Sequence, residues 1–350
     1  MAVNEITPDQ LRASGFFDTG LARRLLSDPV GLIDAGARWG ISEEFAVAAP
    51  LFAALAFEPD AEEALRVESQ GRNRDWAQFR VEARAVGRDH NPLALNLYSR
   101  ANNSSIYPVS PEAKARYALG GFELTKILSV PASPLDAIVF SDSVPPRAGE
   151  VIKLDTQGAE LDILHGGART LAERTVCLIT EVHFFKLYQG APFFSDIDQY
   201  LRAAGFTFIG FSDFQNRSSK RLDKHTHWTR ERVFQADAIY FRDPLTLPAP
   251  VSARVIDIAV MMAVLLGFFD LALEWLTASD TLGMHTTDMV AAVQALSAIE
   301  PSAAEAEVTA LLGAVRRNPQ LGHVLLGKFL DKRRDLPTFH DITIPTDDGS

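Results

Sequence analysis

Two short runs carry the residues best suited to acid–base chemistry. Lys153-Leu154-Asp155-Thr156-Gln157-Gly158-Ala159-Glu160 places two carboxylates around a polar turn, and Glu181-Val182-His183 adds a carboxylate and an imidazole. Each run closes a nearly continuous apolar stretch, VIKLD in one case and VCLITEV in the other. Such stretches form strands buried on both faces of a parallel sheet, and ligands bind beyond the carboxyl ends of those strands. Asp155 and His183 are therefore expected on adjacent lips of one cleft, where a positioned base is worth about 10²–10⁴ in rate. For His183 the competing reading is a partly buried histidine bonded to a backbone carbonyl. Glu160 would either meet substrate or favour the first turn of its helix through the macrodipole. Asp155, Glu160, Glu181 and His183 form an oxygen-rich set of the kind that suits magnesium or manganese, but their spacing is not diagnostic and no metal site is assigned.

A second constellation lies upstream. Asp34-Ala35-Gly36-Ala37-Arg38-Trp39-Gly40 joins an apolar strand to the helix-like run ISEEFAVAA. A glycine turn at that place lets a nucleotide-type ligand approach the backbone. A dinucleotide fingerprint needs G-x-G-x-x-G for its pyrophosphate, and this loop has only Gly36 and Gly40. Asp34 adds an anion suited to an amino group or a sulfonium, which favours S-adenosylmethionine over NAD. Glu58, 24 residues on in Phe57-Glu58-Pro59-Asp60, is placed to accept hydrogen bonds from both hydroxyls of a ribose. The competing reading makes Glu58 a solvated residue at the start of the next helix.

With Arg84-Ala85-Val86-Gly87, Asn103-Ser104-Ser105 and Leu135-Asp136, these motifs fall in the order found in FkbM-family methyltransferases, which the chain resembles over about residues 32–242. The 155–160 segment is the most specific part. The resemblance implies a class I (Rossmann-like) methyltransferase fold, an α/β doubly wound sheet of seven strands. It also implies S-adenosylmethionine as cofactor and transfer of a methyl group to a hydroxyl of a sugar, glycan or related bacterial product. Asp34, Gly36, Ala37, Arg38, Gly40, Glu58, Pro59, Ala85 and Asp155 would then contact the cofactor. Lys153, Asp155, Glu160, Glu181 and His183 would form the catalytic group. The bulky Arg38-Trp39 pair departs from the small residues of many relatives, so Trp39 either alters the cofactor wall or packs under the following helix.

The elements that must position these residues follow from the pattern of the chain. Strands are expected at 30–34, 52–57, 79–86, 93–98, 151–155, 176–182, 206–211 and 233–241, alternating with helices as in an α/β domain. After the proline-rich break at 243–250 the chain turns to Ala, Leu and Val without a convincing strand. The expected organisation is an N-terminal helical segment (1–29), a methyltransferase domain (30–243), an appended helical domain (251–336) that offers a surface for oligomerisation, and a frayed tail (337–350). GFFDLALEWLTAS resembles half of a tetratricopeptide repeat, but a repeat array needs about three units, which favours an ordinary bundle. The apolar run 258–269 is shorter than the roughly 20 residues of a spanning helix and reads as a buried helix.

Composition removes several alternatives. At 350 residues, 47% hydrophobic and 23% charged, the chain is neither disordered nor fibrous. A net charge of −11 argues against nucleic-acid partners, and the single cysteine, Cys177, excludes an internal disulfide and reads as a core residue. The amino terminus shows neither a basic leader nor an apolar core, so the expected location is cytoplasmic. One segment runs against the acidic average. Arg217, Lys220, Arg221, Lys224, Arg230 and Arg232 face only Asp223 and Glu231 in sequence, with Trp228 among them. It would be either a solvated loop or a lid that recruits an anionic acceptor. The rival functions are an NAD-linked oxidoreductase and a non-catalytic scaffold whose α/β domain keeps a cofactor for stability.

Overall fold

The computed structural model describes residues 6–223, 226, 227, 229–280, 286–298 and 301–331. Lys224, His225, Trp228 and the expected tail lie outside the described residues. The main sheet has seven strands, numbered here in chain order: β1 (Val30–Ala35), β2 (Phe52–Phe57), β3 (Gln78–Glu82), β4 (Ala148–Leu154), β5 (Cys177–His183), β6 (Thr207–Arg217) and β7 (Arg232–Phe241). Their order across the sheet is β6-β7-β5-β4-β1-β2-β3. All neighbouring pairs are parallel except those of β7, which runs antiparallel to both β5 and β6. The direction in which strands are added reverses between β1 and β4, and that switch point is where an open α/β sheet leaves its crevice.

Alternate side chains of each central strand enter different cores. Leu32, Val151, Cys177 and Ile179 join one hydrophobic cluster, while Ile33, Ile152 and Leu178 join the other on the opposite face. Burial on both faces explains why these strands read as unbroken apolar runs. Cys177 is fully buried, and burial pushes its thiol well above the ordinary range.

The first cluster also receives the N-terminal helix Gly20–Ser27 and the helices Ala253–Leu265, Phe269–Asp280 and Thr287–Ser297. Charged contacts bind these pieces together. Arg24 donates twice to Asp257 at 2.7 Å, Arg254 meets Glu150 and Asp28, and the Trp275 indole donates to Asp243 at 3.0 Å. Ile256 to Leu265 are all buried, and no helix among the described residues is long and apolar enough to cross a membrane. The boundary between compact units falls near residue 298 rather than at the proline-rich break. The reason is burial: the first three helices after Pro250 cover the sheet. The helices Pro301–Arg317 and Gly322–Asp331 belong to the second unit and pack on each other.

The expected strand at 93–98 is present but leaves the main sheet. Leu93–Tyr98 pairs antiparallel with Leu124–Val130 in a two-stranded sheet of its own, between β3 and β4 in the chain. The expected strand 79–86 divides into β3 and a short segment, Ala85–Gly87, that pairs with Ala132–Pro134. This insertion, with the helix Pro111–Tyr117, builds one wall of the cavity described next.

Candidate active site

A cavity of about 590 Å³ opens at the carboxyl ends of β1, β2, β4 and β5. That volume is within the range of small-molecule sites. Gly36, just beyond β1, sits at φ +95°, and a Cβ built there would lie 1.9 Å from the Asp155 carbonyl oxygen. The loops after β1 and β4 therefore touch at the switch point, and the Asp155 amide donates to Ala35 at 2.9 Å. Gly36 is required by this backbone contact as much as by any ligand.

Glu58, beyond the tip of β2, lines the cavity and is almost fully buried. One of its oxygens accepts from the Asp60 amide at 2.8 Å and lies 3.9 Å from the Arg38 guanidinium. Burial raises the Glu58 pKa above the ordinary range, while the Asp60 amide and Arg38 pull it back. Arg38 also faces Asp60 at 3.4 Å and Glu63 at 3.8 Å. Trp39 does not pack under a helix: it is 67% exposed, with Arg66 over its ring at 5.1 Å.

Asp155 lines the cavity from the tip of β4. Gln157, held at φ +58° in the left-handed region, donates through its side-chain amide to Asp155 at 3.0 Å and to both oxygens of Glu181 at 2.9 and 3.0 Å. A non-glycine residue in that conformation stores strain that its surroundings must hold. Ser105 supplies one restraint by donating to the Gln157 carbonyl at 2.6 Å, and the Tyr188 hydroxyl lies 3.0 Å from the side-chain oxygen. Gln235, on β7, completes the set by donating to Glu181 at 2.7 Å. Burial raises both Asp155 and Glu181, the latter strongly, with Asp155 and Glu160 adding to the effect on Glu181.

The remaining expected residues occupy different places. Glu160 does not line the cavity. Its Oε1 accepts from the Thr156 amide and hydroxyl and from the Gly158 amide, closing the turn that carries Asp155, and burial raises its pKa to about 7. Lys153 is off the cavity too, 2.8 Å from Asp237 and 3.8 Å from Glu44. Burial opposes its charge, but Asp237, Glu44 and the neighbouring carboxylates outweigh burial and hold the ammonium above its ordinary pKa. Asp34 is buried against this group rather than open to the cavity, and burial raises it to about 7.

His183 lies off the cavity as well, nearly fully buried, 3.7 Å from Glu181 and edge-on to the Tyr188 ring. Burial lowers its pKa to about 4, so it is neutral at pH 7. Gly36, Arg38, Glu58, Pro59, Ala85, Asp155 and Glu181 thus share the cavity, whereas Asp34, Ala37, Gly40, Lys153, Glu160 and His183 support it or stand apart from it. Among the described residues no group of three or more His, Cys, Asp or Glu is placed to hold a metal.

Sequence reasoning misses several cavity residues. Gln235 and Asp237 alternate with Phe234, Ala236 and Ala238 on β7, and that period-two polar signal inside an apolar strand is the one that could find them. Arg100, Tyr117 and Phe122 come from the insertion and carry no comparable local signal.

The strand order, with an antiparallel seventh strand inserted between the fifth and sixth, defines a class I methyltransferase fold. A sequence model of the methyltransferase FkbM domain matches residues 34–208, half of the chain, and the protein belongs to that family. Its structure is similar to that of methyltransferase FkbM from Methylobacillus flagellatus KT, with 17% identity and a TM-score of 0.34 over 68% of this chain and 48% of that one. The chain thus spans about half the length of that protein. A second similar structure is magnesium protoporphyrin IX methyltransferase from Synechocystis PCC 6803 with bound S-adenosylmethionine, at 12% identity, a TM-score of 0.29 and coverage of 66% and 79%. No curated protein matches the chain significantly.

Proposed function

We propose that the protein is an S-adenosylmethionine-dependent O-methyltransferase acting on a hydroxyl of a sugar, glycan or related bacterial product. The observation that carries this reading is that Glu58 and Asp155, from the tips of β2 and β4, line one cavity at the switch point. The residues present fit the cofactor. The Glu58 carboxylate suits the two hydroxyls of a ribose, and Gly36, Arg38, Pro59 and Ala85 line the same cavity. When bound, S-adenosylmethionine supplies an electrophilic methyl group.

The chain's own residues do the rest. Asp155 accepts the proton of the acceptor hydroxyl at Oδ1 or Oδ2, and its raised pKa makes it a stronger base than an exposed carboxylate. Gln157 fixes the orientation of Asp155 and Glu181, and alignment of the reacting oxygen supplies much of the remaining effect. Glu160 and His183 act by position, the first closing the turn under Asp155 and the second packing against Glu181. The same reading places the protein in the cytoplasm and takes the carboxyl-terminal helices as a surface for self-association.

Calorimetric titration with S-adenosylmethionine and with NADH tests the cofactor. A panel of hydroxylated sugars with methyl-deuterated cofactor, read by mass spectrometry, tests the transfer. Binding of NADH in place of S-adenosylmethionine would overturn the reading. Binding without transfer to any hydroxylated acceptor, together with capture of a stable protein partner, would favour the scaffold.

A further inference from the structure

The cations around the cavity fall into two classes. Arg38 is matched by Glu58, Asp60 and Glu63, and Arg84 by Glu82 at 3.0 Å. Arg100, Arg217 and Lys220 also line the cavity, yet among the described residues none of the three has a carboxylate within ion-pairing distance. In a chain with a net charge of −11, three cations lining one cavity without a carboxylate partner among the described residues are a departure from the average surface.

Their placement is built into the fold. Gly121 sits at φ +82°, and a Cβ there would lie 2.6 Å from the Arg100 Cβ, so only glycine lets the Arg100 stem lie in that place. The Arg100 amide donates to the Gly121 carbonyl at 3.0 Å, fixing the pair. Arg217 is held by Gln215 at 3.0 Å and stacks over the Phe234 ring at 5.5 Å. Phe234 borders the cavity as well, but it is 2% exposed and its ring stacks on Phe185 at 5.8 Å, so it serves to seat the guanidinium. Among the described residues, Arg221, Arg230 and Arg232 of the same segment do not line the cavity, and Arg232 meets Tyr117 and covers Phe185.

From these observations we infer that Arg100, Arg217 and Lys220 form an oxyanion subsite for the acceptor, which therefore carries a carboxylate or phosphate group. This deepens the methyl-transfer reading and rests on it for the word acceptor. The subsite itself rests on unmatched charge and geometry alone. Arginine presents paired donors suited to either anion, and lysine adds a point charge. Anchoring the acceptor by its anionic group would leave a hydroxyl for Asp155, which lines the same cavity.

The test uses the full chain and three probes: glucose 6-phosphate, glucuronate and methyl glucoside. Each is titrated calorimetrically with and without saturating S-adenosylhomocysteine. Both anions should bind at least about tenfold more tightly than the neutral glycoside, as expected for charge-assisted hydrogen bonds. The advantage should shrink as salt rises from low to about 0.3 M. A triple variant, Arg100→Gln with Arg217→Gln and Lys220→Gln, should lose the advantage. The single exposed change Lys220→Glu should reduce it severalfold and serves if the triple variant melts without cooperativity. A preference for only one anion would assign the subsite to that group. Equal binding of all three probes, or an anion preference indifferent to Lys220→Glu and salt, would overturn the inference. Failure of S-adenosylhomocysteine to bind would overturn the methyl-transfer reading instead, while the probe titrations without it would still decide the subsite.

Discussion

The two ends of the cavity solve the same electrostatic problem in opposite ways. Beside β2 the partly buried Arg38 is paired with carboxylates, with Glu58, Asp60 and Glu63 gathered around it. On the side of Arg100, Arg217 and Lys220 none of the three cations has a carboxylate within ion-pairing distance among the described residues, and Arg217 is held instead by Gln215 and the Phe234 ring. Removing a charge from water is costly unless it is paired. The paired end is accordingly buried, whereas Arg100 and Lys220 at the other end stay exposed. On the proposed reading, the paired, preformed end would hold the cofactor and the open cationic end the acceptor. Between them stands the Asp155–Gln157–Glu181 set, which belongs to neither.

The largest expected effect falls on that middle set. Asp155→Asn keeps an oxygen for the Gln157 amide but removes the base, and turnover should fall by about 10²–10⁴ with cofactor affinity nearly unchanged. His183→Gln, off the cavity, should cost far less, and an equal loss in both variants would move the proton acceptor away from Asp155. Next in size, Glu58→Ala should weaken S-adenosylmethionine binding at least tenfold, since each hydrogen bond to a charged acceptor is worth about 1.5–3 kcal/mol. Unchanged calorimetric affinity in the folded variant would show that the paired end does not hold the ribose.

A subtler change probes the pairing itself. Arg38 is one of the two influences that hold the Glu58 pKa down against burial, so Arg38→Met should raise it further. Protonated Glu58 cannot accept from both hydroxyls, so cofactor affinity should drop as pH falls, beginning at a higher pH than in the parent. Superimposable pH profiles between pH 5.5 and 8 would remove Arg38 from that role.

The smallest effect concerns stability. Burial raises Glu160 and Asp34 to about 7, so between the ordinary carboxylate range and pH 7 the folded chain binds more protons than the unfolded one. Stability should therefore fall as pH rises through that window. Glu160→Gln keeps the acceptor for Thr156 and Gly158 without the titration, and its Tm should depend less steeply on pH between 5 and 7. The same slope in the variant would show that Glu160 is already ionised in the fold.

Several features are legible in the amino-acid sequence because they are local. A strand buried on both faces must be apolar throughout, so β1, β2, β4 and β5 stand out as runs, and a polar residue at the carboxyl end of such a run falls at the sheet edge. That pattern picks out Asp155 and Glu58, and both fall within the residues that the family model matches. Tertiary structure alone decides which neighbours face the cavity. Lys153 lies two positions before Asp155 yet pairs with Asp237, 84 residues away, and Asp34 is buried against the same group. Whether a charged residue serves a ligand or another side chain depends on what the fold brings within about 4 Å. For Lys153, Asp34 and the three unmatched cations those partners, or their absence among the described residues, come from distant strands and from the insertion, where no local pattern in the sequence could indicate them.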